Sequence, residues 1–152
     1  MAIQSTLIIG YGNTLRRDDG VGYALAEEIA TEVWPEVQAL AVHQLTPELA
    51  AIMTEVERVI FVDAQGHWQA GEPLITLSPL QFSGQTGSLE HHCSPSYLLA
   101  LTQALYGPPP QAWLLAIAAE DFSFGDGLSE VTQQAKGLAK EQLRKQLGLP
   151  DN

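Results

Sequence analysis

The chain has 152 residues, 45% of them hydrophobic, and its 18 acidic side chains against 7 basic ones leave a net charge of −11. That length suits a single domain over residues 1–152 able to bury roughly 70% of its unfolded surface. The acidic balance argues against nucleic acid, whose phosphates need lysine and arginine, and disfavours anionic membranes. No apolar run spans a bilayer, the start Met1-Ala2-Ile3-Gln4-Ser5 lacks a secretory pattern, and one cysteine leaves no internal disulfide, so the expected location is cytoplasmic.

Residues 6–9 read as a first strand, apolar enough to be buried on both faces. Val21, Leu25, Ile29 and Val33 then recur at helical spacing. Residues 37–42 make a second strand. Thr46-Pro47 opens another helix, with Thr46 as its cap and Leu49, Ile52, Met53 and Val56 as its apolar stripe. Residues 58–63 form the clearest strand, ending on Asp63, and residues 74–77 a shorter one suited to an edge. Residues 79–92 are polar and read as a long loop, a kind of segment that often carries function. Ser94-Pro95 repeats the capping signal ahead of Leu98, Leu101 and Leu105, and Tyr106-Gly107-Pro108-Pro109-Pro110 stops that helix. Residues 112–118 make the last strand, and Leu128, Val131, Ala135, Leu138 and Leu147 mark a final helix. This alternation predicts an α/β three-layer sandwich: a twisted, mostly parallel sheet of about five strands with helices on both faces.

Ligands of such folds gather at the carboxyl ends of the strands. Asp18-Asp19 follows the first strand, His43 and Gln44 the second, and Asp63 ends the third, so these residues converge on one edge. The first of these segments superficially resembles a nucleotide loop. Leu15, however, occupies the third glycine position of a dinucleotide fingerprint, and no Gly-Lys-Ser/Thr occurs. Two adjacent carboxylates would repel a pyrophosphate; they suit a metal or acid–base chemistry. Either aspartate can cap the following helix, and both need not. Asp63 must be solvated, paired or ligated, since an isolated buried charge is costly, with an Asx turn through Ala64-Gln65-Gly66 as the plainer role. Cys93, beside His91 and His92, invites a thiol nucleophile, but a solitary cysteine more often packs as a small hydrophobe.

Gly12-Asn13-Thr14-Leu15-x-x-Asp18-Asp19-Gly20-Val21-Gly22 resembles the opening motif of the [NiFe]-hydrogenase maturation endopeptidases, which remove a C-terminal tail from the hydrogenase large-subunit precursor once nickel is in place. The resemblance continues through Phe61-Val62-Asp63-Ala64 and His91-x-x-Ser94-Pro95-x-x-Leu98-Leu99, and covers nearly the whole chain. It implies an endopeptidase whose catalytic, metal-engaging residues are Asp19, Asp63 and His91. Asp19 matches the metal-contacting second acid of the motif, leaving Asp18 to cap or orient. His91 rather than His92 keeps the family's register to Ser94 and Leu98-Leu99. Gly12, Asn13, Asp18 and His43 are expected to contact substrate. His43-Gln44-Leu45-Thr46 departs from the glycine-rich turn of many members and bears on the choice of partner hydrogenase; its plainer role is packing beside the sheet.

The implied metal is nickel supplied by the substrate, with no permanent catalytic metal, and no His-Glu-x-x-His zinc motif occurs. The implied partner is the large-subunit precursor, with no nucleic acid and no membrane, and a monomer is expected. A reading from another class fits the same ligands: a nickel-binding checkpoint or delivery protein for hydrogenase assembly without proteolytic activity.

Overall fold

A computed structural model describes residues 5–81 and 93–150. The elements run β1 (Thr6–Tyr11), a 3₁₀ turn (Arg17–Gly20), α1 (Val21–Ala30), β2 (Val37–Val42), α2 (Leu49–Met53), β3 (Arg58–Gln65), β4 (Ile75–Pro79), α3 (Pro95–Tyr106), β5 (Gln111–Ala118) and α4 (Glu130–Gln146). The strands form one sheet in the order β2-β1-β3-β5-β4, parallel except for β4, which runs antiparallel to β5 at the edge. Unbroken apolar runs occupy its centre because side chains there are covered on both faces. Ile8, Ile60, Val62, Leu115 and Ile117 pack with α1 and α4 on one side. Leu7, Ile9, Val59 and Phe61 pack with α2 and α3 on the other. The α/β three-layer sandwich expected from the alternation is the observed architecture.

Local signals differ in places from the sequence pattern. Val33 is 97% exposed, because α1 ends at Ala30 and Thr31 turns its hydroxyl back onto the Glu28 carbonyl; Trp34 is buried instead. Thr46 caps no helix: α2 starts at Leu49, with Glu48 at its N-cap position making no side-chain bond there. Leu105 and Leu138 are exposed, and the buried face of α3 is Leu98, Leu99, Ala100 and Thr102. The Ser94 cap is as expected, its hydroxyl accepting from the Tyr97 N–H at 3.1 Å.

The connections through α1 and α2 leave β1 flanked by β2 on one side and β3 on the other, which makes the β1/β3 boundary the topological crossover. Pairing between these two strands stops at Gly10 and Val62. β3 continues beside β5 to Gln65 and Ala118, so Asp63 lies two residues inside its strand rather than at its end. The neighbour on β5 holds the backbone extended where β1 has already turned away.

Candidate active site

Glycines bring the start of α1 directly onto the crossover. A Cβ on Gly22 would lie 2.3 Å from the Val62 carbonyl oxygen. Gly12 has φ of 148°, and a Cβ there would lie 1.9 Å from the Asp19 carbonyl oxygen. No other residue type lets the loop after β1 fold back so tightly.

Within that loop the two aspartates have different surroundings. Asp18 is fully buried. Its carboxylate accepts from the backbone N–H groups of Ser129 (2.7 Å), Asp121 (2.9 Å) and Glu120 (3.0 Å) and from the Ser129 hydroxyl (2.8 Å). Burial acts to raise its proton affinity, but these donors outweigh it and hold the carboxyl below its ordinary range. Asp18 therefore ties the loop after β1 to the segment after β5 and to the N-cap of α4. Backbone bonds reinforce the seam, from Gly125 N to the Leu15 carbonyl at 2.7 Å and from Arg17 N to the Gly125 carbonyl at 3.1 Å. Arg16 and Arg17 donate to the carbonyls of Phe122 and Asp126.

Asp19 is half-buried and faces the other way. Its Oδ2 accepts from the Asn13 N–H at 2.8 Å, while Asn13 Oδ1 accepts from the Leu15 N–H at 2.9 Å. Asn13 itself is exposed, and Gly12 is buried beneath it.

Asp63 Oδ2 accepts from the Tyr11 hydroxyl at 3.1 Å, and Oδ1 from the Ala64 N–H at 2.8 Å. Burial raises its proton affinity, the two donors oppose this, and the nearby charge of Asp19 adds to it; the net direction is upward. The Tyr11 phenol is driven well above its usual range by burial and by the Asp63 charge, so it remains a proton donor to the carboxylate. Asp19 and Asp63 thus come together at the crossover.

His91 lies outside the described residues, as does His92. Among the described residues no three His, Cys, Asp or Glu side chains form a group able to hold a metal ion. His43 is exposed and stacks on Tyr23, with ring centroids 4.8 Å apart and planes 9° from parallel. The Cys93 thiol has its proton affinity raised by burial and by the Glu48 charge, the opposite of an activated thiolate.

Two contributions escape the motif reading. Tyr11 stands between Gly10 and Gly12, just ahead of the motif, and the two-residue alternation of Leu7, Ile9 and Tyr11 is the signal that it shares a face with the third strand's odd-numbered residues. The segment after β5 carries no motif of its own; only Ser129, a capping residue ahead of a helix, marked it.

No protein-family model and no curated protein matches the chain. Solved structures do. The hydrogenase 2 maturation peptidase from a Thaumarchaeota archaeon superposes with a TM-score of 0.71 at 24% identity, over 95% of this chain and 99% of that one. The hydrogenase maturating endopeptidase HybD from E. coli gives 0.72 at 21% identity, over 94% and 91%. The [NiFe] hydrogenase maturation protease HycI from Thermococcus kodakarensis gives 0.67 at 24%, over 95% and 93%. The chain has the fold of the hydrogenase maturation peptidases. Within that fold, Asp63 lies on β3 two residues before its end and Asp19 in the turn that follows β1, and no helix among the described residues is long and apolar enough to cross a membrane.

Proposed function

We propose that this chain belongs to the [NiFe]-hydrogenase maturation endopeptidases and removes the C-terminal extension of a nickel-loaded large-subunit precursor, completing its maturation. The observation that carries this is Asp63: a part-buried carboxylate with one donor on each oxygen, at the β1/β3 crossover, its proton affinity raised beside Asp19. A structural carboxylate in that position would be expected to have its charge compensated. A fold shared with maturation peptidases supports the same reading.

In this proposal Asp19, Asp63 and His91 engage nickel that arrives bound in the precursor. An O/O/N set suits a borderline divalent metal and leaves coordination positions for donors from the substrate. The upward shift also suits Asp63 to take up the proton of an attacking water. Asn13 and His43 present exposed side chains to the precursor, while Gly12 and Asp18 shape the loop behind them.

Incubation with nickel-loaded and nickel-free precursor tests the proposal. Tail release from the nickel-loaded form alone is expected, abolished by His91→Ala and largely retained by His92→Ala. A stable complex without cleavage would instead establish the checkpoint or delivery protein, and equal cleavage without nickel would remove the metal from the mechanism.

A further inference from the structure

The residue level that holds Tyr11 and Asp63 continues across the sheet. Asp63 pairs with Ala116 on β5, and Ala116 with Thr76 on β4; one step nearer the strands' carboxyl ends, Gln65 pairs with Ala118. Alternation along the strands places Gln65, Thr76 and Ala116 on the same face as Asp63, while Ala118 also packs with the cluster shared with α1 and α4. Gln65, Thr76, Ala116 and Ala118 contribute to the lining of a cavity of about 110 Å³, with Trp68 and Leu74 contributing further apolar surface. The site described above uses none of these residues.

The indole is held in place. Trp68 Nε1 donates to the carbonyls of Glu72 at 3.2 Å and Pro73 at 3.1 Å, and its backbone N–H donates to the Gln65 carbonyl at 3.3 Å. Glu72 closes the same turn by accepting from the Gln69 N–H at 2.7 Å. These bonds make the turn over residues 65–73 a fixed shoulder on the sheet.

We propose that this cavity is a side-chain subsite that takes one uncharged, mid-sized side chain of the precursor peptide beside the metal-facing carboxylates, and so helps select the bond that is cut. The inference rests on the protease reading above. The volume equals roughly three to four water volumes, space for a branched aliphatic group and too little for an indole. The Ala116 methyl and the Trp68 ring offer apolar contact, while Glu72 on the lining opposes an anionic side chain. Ala116 is the cross-strand neighbour of Asp63, so a residue seated over it places the adjoining peptide bonds within one strand spacing of that carboxylate.

The test uses the Trp68 indole N–H resonance, assigned with Trp68→Phe, and millimolar N-acetyl-leucinamide or the amide of N-acetyl-glutamate as probes. The leucine probe is expected to shift the resonance saturably and the glutamate probe to leave it in place. Ala116→Leu, which fills the space from the floor, and Thr76→Phe, which fills it from the exposed edge strand, are both expected to abolish the shift with thermal unfolding little changed. On nickel-loaded precursor, Thr76→Phe should lower kcat/KM about tenfold or more, the scale of discrimination by a small apolar pocket. Trimming the residue next to the scissile bond to glycine should remove the difference from wild type. An unmoved resonance with the leucine probe, or wild-type preference at every flanking position in both filled variants, overturns the subsite. A saturable shift in a wild-type protein that never cuts its precursor upholds the cavity and overturns the protease reading.

Discussion

Asp18 and Asp63 carry the same group under the same leading penalty, burial, and respond in opposite directions. Asp18 receives four hydrogen bonds, three from backbone N–H groups that cannot move without disturbing α4 and the segment after β5. Asp63 receives two and has Asp19 as a charged neighbour. The saturated carboxylate has little capacity left for an outside partner and serves as a clamp. The under-compensated one retains lone pairs and a raised proton affinity. Asp18 is the deeper of the two, fully buried where Asp63 is part-buried, yet it is Asp18 whose charge is compensated by the fold.

The largest effect is expected at the under-compensated carboxylate. Asp63→Asn keeps the shape and removes the charge, and should lower tail release by about 10²–10⁴-fold, the usual span for a general acid–base group. Its melting temperature should hold or rise at neutral pH, since the native fold gains from losing a charge that burial disfavours. A processing assay beside calorimetry checks both halves, and a strongly destabilised but active Asp63→Asn protein would erase the contrast with Asp18.

The clamp should fail differently. Asp18→Ala leaves the part-buried N–H groups of Glu120, Asp121 and Ser129 without their acceptor, which costs about 3 kcal/mol. For a chain of this length that corresponds to a fall in melting temperature of about 6–12 °C. Amide hydrogen exchange should accelerate first in the segment after β5 and at the start of α4. A melting temperature within a degree or two of wild type would show that the four bonds are replaceable by water.

Between these extremes lies Tyr11. Tyr11→Phe deletes the hydroxyl that donates to Asp63 at 3.1 Å without opening a cavity. A hydrogen bond to a charged group is worth about 1.5–3 kcal/mol, so a roughly tenfold or greater loss in kcat/KM is expected, with the fold intact. Unchanged kinetics would mean that the Ala64 N–H alone orients the carboxylate.

How much of this was legible in advance follows from range. Strand and helix positions came from local patterns, so β2 over residues 37–42 and the Ser94 cap were readable. The convergence of Asp19 and Asp63 followed from topology, because parallel strands bring their carboxyl ends to one edge. Asp18's partners lie more than a hundred residues away, in a segment with no pattern of its own, and no spacing rule reaches them. Val33 fits the helical period yet lies outside the helix, because periodicity does not say where Thr31 turns the chain out. The extension of β3 past Asp63 depended on β5 continuing beside it, a tertiary fact.

Glu28 supplies the mildest test, because its charge is compensated by flexible cations instead of fixed backbone donors. Its carboxylate meets Lys136 at 2.9 Å and Lys140 at 2.8 Å, joining α1 to α4, and Lys140 also contacts Glu32. Hydrogen bonds from Lys140 and then Lys136 hold the Glu28 carboxyl below its ordinary range. The Glu28 side chain is 37% exposed, so solvent screens the pair and the lysines spend entropy to stay in place. Glu28→Gln should therefore cost only about 0.5 kcal/mol, a shift of roughly 1–2 °C. The sign with pH is definite. A carboxyl whose folded proton affinity is lowered contributes stability above its unfolded value of 4.5, and that contribution is lost as the pH falls through the lower folded value. Wild type and Glu28→Gln should thus differ at neutral pH and converge in acid, and added salt should narrow the gap at neutral pH. A difference as large as that of Asp18→Ala, or one that survives in high salt, would mean that mobile cations can clamp as firmly as backbone donors, and the distinction drawn between Asp18 and Asp63 would then rest on position in the fold rather than on the kind of donor.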